Sequence, residues 1–277
     1  MYIDIIMSSR LIAFMILFTP MICACGGSSE PGREIAVPEP REIIDLGALV
    51  TEDLPERVWG KAIMSELGYD DNNSFDVIHW DREFDDGTVS GSNAYYTLFN
   101  HGGPHVDAPN HMGLGSSGVD AYPVAAFAGR LKVIDVSGFP LGRSVPVETI
   151  RAHDVQPGDI VLIFTNYQPP RTDIELPHRI ALTQEAAEYL ATLPVRAFGT
   201  DAFNVESNDN PTPVDSDQEV QRVAPIHYAF LSRGIPIFEQ LFNVDQLLDK
   251  QNMYFVGPPL NVKDGDGMIV RPVVLVY

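Results

Sequence analysis

Apolar positions along the chain fall into short runs separated by turn residues, and the spacing within each run points to its element. Glu42–Leu46, Tyr95–Phe99, Leu131–Val136, Ile160–Thr165, Val195–Gly199, Ile235–Phe238, Tyr254–Val256 and Val270–Val276 are rich in Ile, Val, Phe and Tyr and read as strands. Between them, Gln184–Leu193 sets Ala186, Ala187, Leu190 and Ala191 at i, i+1, i+4 and i+5, one apolar stripe of a helix. Thr183 is its expected N-cap and Pro194 its stop. Shorter helices are expected after Pro146, through Ala152, and after Asn243, through Leu248. Gln156-Pro157-Gly158-Asp159 reads as a turn feeding the strand at Ile160. Strands mixed with helices, without repeats, predict an α/β (α+β) layered fold, with residues 41–277 as one domain.

The first forty residues break this pattern. Arg10 precedes an apolar run, Leu11 to Ile22, interrupted only by Thr19 and Pro20. It is too short to span a bilayer and suits the apolar region of a signal peptide. Asp4 is out of place in such a segment, and a start at Met7 gives a cleaner Met-Ser-Ser-Arg opening. Ile22-Cys23-Ala24-Cys25-Gly26 resembles a bacterial lipobox, which makes residues 1–24 a lipoprotein signal peptide and Cys25 the lipidated residue. A non-lipidated signal peptide or a disordered tail is the plainer alternative. Residues 25–40, rich in Gly, Ser, Pro and Glu, read as a flexible tether. The expected location is the bacterial cell envelope, lipid-anchored and facing the periplasm or exterior. In a Gram-negative cell the outer membrane is expected, since Gly26 and not Asp follows the cysteine.

Charge narrows the partners. Thirty-eight acidic against eighteen basic side chains leave a formal charge of −20, a field that repels nucleic acid and anionic headgroups. A small-molecule substrate is expected, with membrane contact only through the anchor. The chain's two cysteines both lie in the leader, so no disulfide is expected after processing. With 277 residues, 45% of them hydrophobic, the chain can bury a large core unaided. A metal site would therefore serve function rather than staple the fold.

Candidate chemistry sits in His101-Gly102-Gly103-Pro104-His105-Val106-Asp107-Ala108-Pro109-Asn110-His111. The glycines and prolines forbid a regular helix, so His101 and His105 meet through a turn and not through i, i+4 spacing. If His105–Asp107 is extended, its two polar side chains share one face. Two imidazoles and a carboxylate converging with a coordination position open is the ligand set of a catalytic metal centre. Further on, Glu239 closes an apolar run, where a buried carboxylate needs a partner, and His227 lies twelve positions before it. There is no G-x-S-x-G nucleophile motif, which disfavours covalent catalysis.

This segment resembles the H-x-G-T-H-x-D-x-P-x-H motif of the cyclase family, which includes kynurenine formamidase and isatin hydrolase. Pro104 stands where the family has Thr. The family's later His and Glu match His227 and Glu239. Weaker echoes are Asp45-Leu46, Gly199-Thr200-Asp201-Ala202, Pro259-Leu260 and Arg271-Pro272. The resemblance implies a mixed-sheet, barrel-like core flanked by helices. It implies His101, His105 and Asp107 as ligands of one divalent ion, and Asp107 and His227 as ligands of a second, with Glu239 bridging. Zn2+ is the first expectation and Mn2+ the second, with one or two ions held. It assigns His111 to acid/base work and places Trp59 where a substrate-stacking Trp stands in kynurenine formamidase. Relatives are commonly homo-oligomers.

The resulting expectation is a metal-dependent hydrolase of an amide, an aryl formamide or a cyclic amide, using metal-activated water. A cyclase, lyase or lactonase on the same site is the first alternative. A non-catalytic metal- or ligand-binding lipoprotein is the second. Pocket walls are expected from Leu49–Phe84 and from the polar stretch Asn204–Val223.

Overall fold

The structure is a computed structural model that describes residues 38–51, 76–168, 179–206 and 221–277. The leader with Cys25, and Trp59, lie outside the described residues.

The framework is a mixed nine-stranded sheet curled into a half-barrel. Its strands are β1 (Glu42–Asp45), β4 (His105–Asp107), β5 (Ala128–Asp135), β7 (Ile160–Phe164), β9 (Ala197–Thr200), β10 (Ile237–Glu239), β11 (Met253–Val256), β12 (Gly267–Ile269) and β13 (Val273–Val276). They are ordered β1-β13-β11-β5-β7-β9-β10-β4-β12. The middle four, β5, β7, β9 and β10, run parallel, and antiparallel strands flank them on both sides. Every residue of β7 is buried, as expected of a central parallel strand covered on both faces.

Alternation along the strands sorts their side chains into two cores. One face packs Ile134, Val161, Ile163, Phe198 and Ile237 against three helices: α1 (Val147–Arg151), α2 (Gln184–Thr192) and α3 (Pro225–Leu231). The other face packs Leu131, Leu162, Val106 and Phe238 with Ile44 of β1, Phe255 of β11 and Val274 of β13. In α2, Thr183 accepts a hydrogen bond from the Ala186 amide, and Ala186, Ala187, Leu190 and Ala191 are buried, matching the predicted stripe. Pro146 opens α1 as predicted.

Three expectations change. Tyr95–Phe99 is not a separate strand; Tyr95–Thr97 ends β3 (Val89–Thr97), which pairs antiparallel with β2 (Asp76–Glu83) in a two-stranded hairpin. Val270–Val276 is a strand only over β13, because Arg271-Pro272 interrupts the run and Pro lacks an amide for the ladder, and β12 precedes it as a separate strand. Asn243 takes a left-handed conformation, φ +56°, and its side chain donates to the Asp45 carbonyl. It therefore does not cap the segment that follows, which is a 3-10 turn.

Candidate metal centre

His105 and Asp107 occupy β4 with Val106 between them, so both leave the sheet on the helix-covered side while Val106 enters the opposite core. In the adjoining β10, Glu239 is the cross-strand partner of His105, and alternation sends Glu239 and Ile237 to that same side. His227 comes from above, on α3. His101 and His111 flank β4, the first in the preceding turn and the second in the 3-10 turn Pro109–Met112. The six predicted side chains thus come together from the turn before β4, β4 itself, the following 3-10 turn, α3 and β10.

Distances define one cluster. Asp107 Oδ1 lies 3.0 Å from His101 Nδ1 and 3.2 Å from His105 Nε2. Asp107 Oδ2 lies 3.7 Å from His227 Nε2. The two oxygens of Glu239 lie 3.6 Å from His105 Nε2 and 3.6 Å from His227 Nε2. His105, Asp107, His227 and Glu239 are all buried.

The tautomers make these approaches informative. His105 Nδ1 is 2.9 Å from the Gly103 carbonyl, which only accepts, so this nitrogen carries the proton and Nε2 presents a lone pair. His227 Nδ1 is likewise 2.9 Å from Glu206 Oε1 and donates to it. In their neutral forms the two rings therefore turn lone-pair nitrogens toward two carboxylates. Among the described residues His101 Nδ1, His227 Nε2 and both oxygens of Asp107 have no hydrogen-bond partner although they are buried. Leaving four such atoms unpaired is costly, and a divalent cation held by these residues would satisfy them. Among the described residues three sets have mutually close donor atoms: His101, His105 and Asp107; Asp107, His111 and His227; and His101, His111 and Asp266. Imidazole with carboxylate suits Zn2+ or Mn2+.

Without an ion, protons have to balance the same charges. Burial pushes the Glu239 carboxyl up to about 7, with the Asp107 charge adding to it against the pull of His227 and His105. Burial opposes charge on His227, yet Asp107, Glu206 and Glu239 hold it well above its ordinary range. His111 is shifted downward, chiefly by burial and despite the nearby Asp107 and Asp266. A neutral His111 at physiological pH is a base able to take a proton.

The surroundings include residues that the sequence pattern did not single out. Glu206 receives the Ile226 and His227 amides and His227 Nδ1, fixing both the start of α3 and the ring. Arg179 Nε donates to the Glu206 carbonyl. The Val205 amide donates to Glu239 Oε1 at 2.7 Å. Gln240 braces the turn before β4, accepting from the Gly103 amide and donating to the His101 carbonyl. Asp266 Oδ2 lies 3.0 Å from His101 Nε2. Glu206 falls inside Asn204–Val223, read as a polar loop, and residues 207–220 of that stretch lie outside the described residues. Of Leu49–Phe84, the described β2 is a solvent-exposed strand.

Comparison with known proteins identifies the family and the fold. The family model described as Putative cyclase matches residues 44–207. Kynurenine formamidase of Salinibacter ruber is 30% identical over 178 residues, covering 64% of this chain and 76% of that protein. Kynurenine formamidase of Bacillus cereus is 25% identical over 199 residues, covering 71% and 85%. In fold, isatin hydrolase A from Labrenzia aggregata, bound to benzyl benzoate, superposes with a TM-score of 0.67 at 22% identity, covering 85% of this chain and 93% of that one. A potential metal-dependent hydrolase with cyclase activity superposes with a TM-score of 0.59 at 22% identity, covering 85% and 98%. With the family model spanning more than half of its length, this chain belongs to the cyclase family.

Proposed function

We propose that this protein hydrolyses the amide bond of a small carbonyl substrate, an aryl formamide or a cyclic amide. Its kinship with kynurenine formamidases makes it a metal-dependent hydrolase acting on C–N bonds other than peptide bonds. The choice of amide rests on that kinship, and the observation that carries the metal is the set of buried, unpaired donor atoms on His101, Asp107 and His227, which also face His105 and Glu239. We assign His101, His105, Asp107, His227 and Glu239 to one or two divalent ions, zinc first and manganese second.

An ion held there supplies a water nucleophile active near pH 7 and polarises the carbonyl under attack. The residues supply the rest. Gly103 and Glu206 fix the His105 and His227 tautomers, so that each ring offers Nε2 to the centre. His111 is partly solvent-accessible at the edge of the cluster, with its ring centroid 4.2 Å from that of His101 and 5.9 Å from that of His227. From there it takes the proton of the attacking water and returns it to the leaving nitrogen. Because the amine leaves poorly as an anion, that delivery is what separates amide cleavage from ester cleavage.

Turnover of zinc- and manganese-loaded protein is to be measured on formanilide, isatin, a lactone and an aryl ester. Faster turnover of formanilide or isatin supports the amide reading. Preference for the lactone or ester replaces it with a lactonase or esterase. Metal binding without turnover of any of the four leaves a binding protein.

We also propose that Cys25 carries a lipid anchor that holds the domain at the bacterial envelope, and that the chain assembles as a homo-oligomer. The lipobox-like Ile22–Gly26 sequence supports the first. In a bacterial host Cys25→Ser should move the protein out of the membrane fraction, and unchanged fractionation rejects the anchor. Sedimentation of the detergent-solubilised chain tests the second, and a single monomeric species rejects it.

A further inference from the structure

Strand β12 places a carboxylate where two histidines can share it. Gly267 pairs with Asp107 across β12 and β4, and the Ala108 amide donates to the Asp266 carbonyl at 2.9 Å, so the backbone at Asp266 is fixed beside the centre. Asn100 Nδ2 donates to Asp266 Oδ1 at 2.7 Å and to the Gly267 carbonyl at 3.2 Å, orienting the carboxylate. The other oxygen, Oδ2, lies 3.0 Å from His101 Nε2 and 3.6 Å from His111 Nδ1. The two rings overlap with centroids 4.2 Å apart and planes 31° apart. Gly267 makes room for this packing, since a Cβ there would lie 2.4 Å from His101 Cε1.

We propose that Asp266 is a positioning residue that ties the metal-binding ring of His101 to the proton-transferring ring of His111. A carboxylate only accepts, so its contact with His101 Nε2 keeps the proton on that nitrogen and leaves the Nδ1 lone pair, 3.0 Å from Asp107 Oδ1, for the ion. The same oxygen faces His111 Nδ1 and turns His111 Nε2 away from Asp266. One acidic side chain thereby sets the tautomer of a ligand and the orientation of a base. The inference rests on the roles assigned above to His101 and His111.

The test uses the full chain and zinc. Zinc affinity is measured by chelator competition for the wild type, Asp266→Asn, Asp266→Glu and His105→Ala. Loss of an outer partner of a ligand should weaken zinc binding by roughly 10–100-fold in Asp266→Asn, with part of the loss recovered in Asp266→Glu. An affinity within twofold of wild type overturns the proposal. A loss as complete as that of His105→Ala also overturns it, because Asp266 would then be a ligand itself.

The link to His111 is read from formanilide turnover at saturating zinc. Asp266→Asn should lower kcat with KM little changed, and should cost nothing further in a His111→Ala background. Losses that multiply in the double variant overturn the link. A wild-type chain inert on all four substrates overturns the functional reading instead, and the zinc measurements then decide the role of Asp266 alone.

Discussion

Glu239 and His105 face each other directly across the antiparallel pair β10 and β4, with Glu239 Oε2 3.6 Å from His105 Nε2. The pairing register itself therefore delivers a carboxylate to an imidazole that is 134 positions earlier in the chain. Glu239→Gln removes the charge and keeps the shape. It should weaken divalent-ion binding by more than the roughly 10–100-fold that an outer partner costs, measured by chelator competition. Unchanged affinity would place the ion away from β10.

His111 and His105 should separate cleanly. His105 lies in the buried core of the cluster, whereas His111 stands at its accessible edge. His105→Ala should lose metal and activity together. His111→Ala should keep near-normal metal content while turnover falls by roughly 10²- to 10⁴-fold. Equal metal loss in both variants would make His111 a ligand.

Gly267→Ala should harm the centre without removing any polar group. The added methyl would lie 2.4 Å from His101 Cε1 and 3.0 Å from the Val106 carbonyl, closer than van der Waals contact allows. Overpacking of this kind costs about 1–3 kcal/mol, read as a lower midpoint in denaturant. Zinc affinity should fall with it. An unaltered midpoint would show that the turn before β4 yields more easily than its contacts imply.

Asp45 and Arg271 give a pH-dependent prediction away from the centre. Arg271 donates from Nε and Nη2 to Asp45 Oδ2 at 2.9 and 2.7 Å, and this guanidinium, with the Gly47 amide, holds the Asp45 carboxyl below its ordinary value of 3.8. A lowered folded-state pKa contributes stability above the unfolded value, which is lost as pH falls through the folded one. Arg271→Ala should thus lower Tm slightly at pH 6, and the difference should fade as pH drops below 3.8 and through the lowered folded-state value. The pair is exposed, so added salt should shrink the effect. A difference that persists in acid would mean Arg271 acts through packing.

Local features of this site were legible in the sequence, and those created by tertiary packing were not. His101, His105, Asp107 and His111 lie within eleven residues whose glycines and prolines announce a turn around a strand. Asp45-Leu46 and Arg271-Pro272 stood out only as separate fragments; the fold joins them in one ion pair. Glu206 and Asp266 carried no signal, being two of thirty-eight acidic residues whose histidine partners are 21 and 165 positions away. Helix α3 escaped notice because Pro225, Ile226, His227, Ala229, Phe230 and Leu231 are all buried, which leaves too narrow a polar face for helical periodicity. Hairpin β2–β3 was half seen: Tyr95–Thr97 is apolar enough to mark a strand, but Asp76–Glu83 mixes charged and apolar residues.

That hairpin decides what Trp80 reports in an optical experiment on this protein. The chain has two tryptophans, Trp59 and Trp80, and Trp80 lies on β2 with half its surface in water. The large aromatic side chains of the two cores are phenylalanines, among them the stacked pair Phe198 and Phe230 and the edge-to-face pair Phe238 and Phe255. Emission from Trp80 therefore starts red-shifted in the native protein and changes little when the sheet melts. Emission read from Trp80 would follow the ribbon, and loss of the nine-stranded sheet would leave little trace in it. Circular dichroism of the backbone, or calorimetry, is the probe matched to the part of the molecule that does the chemistry.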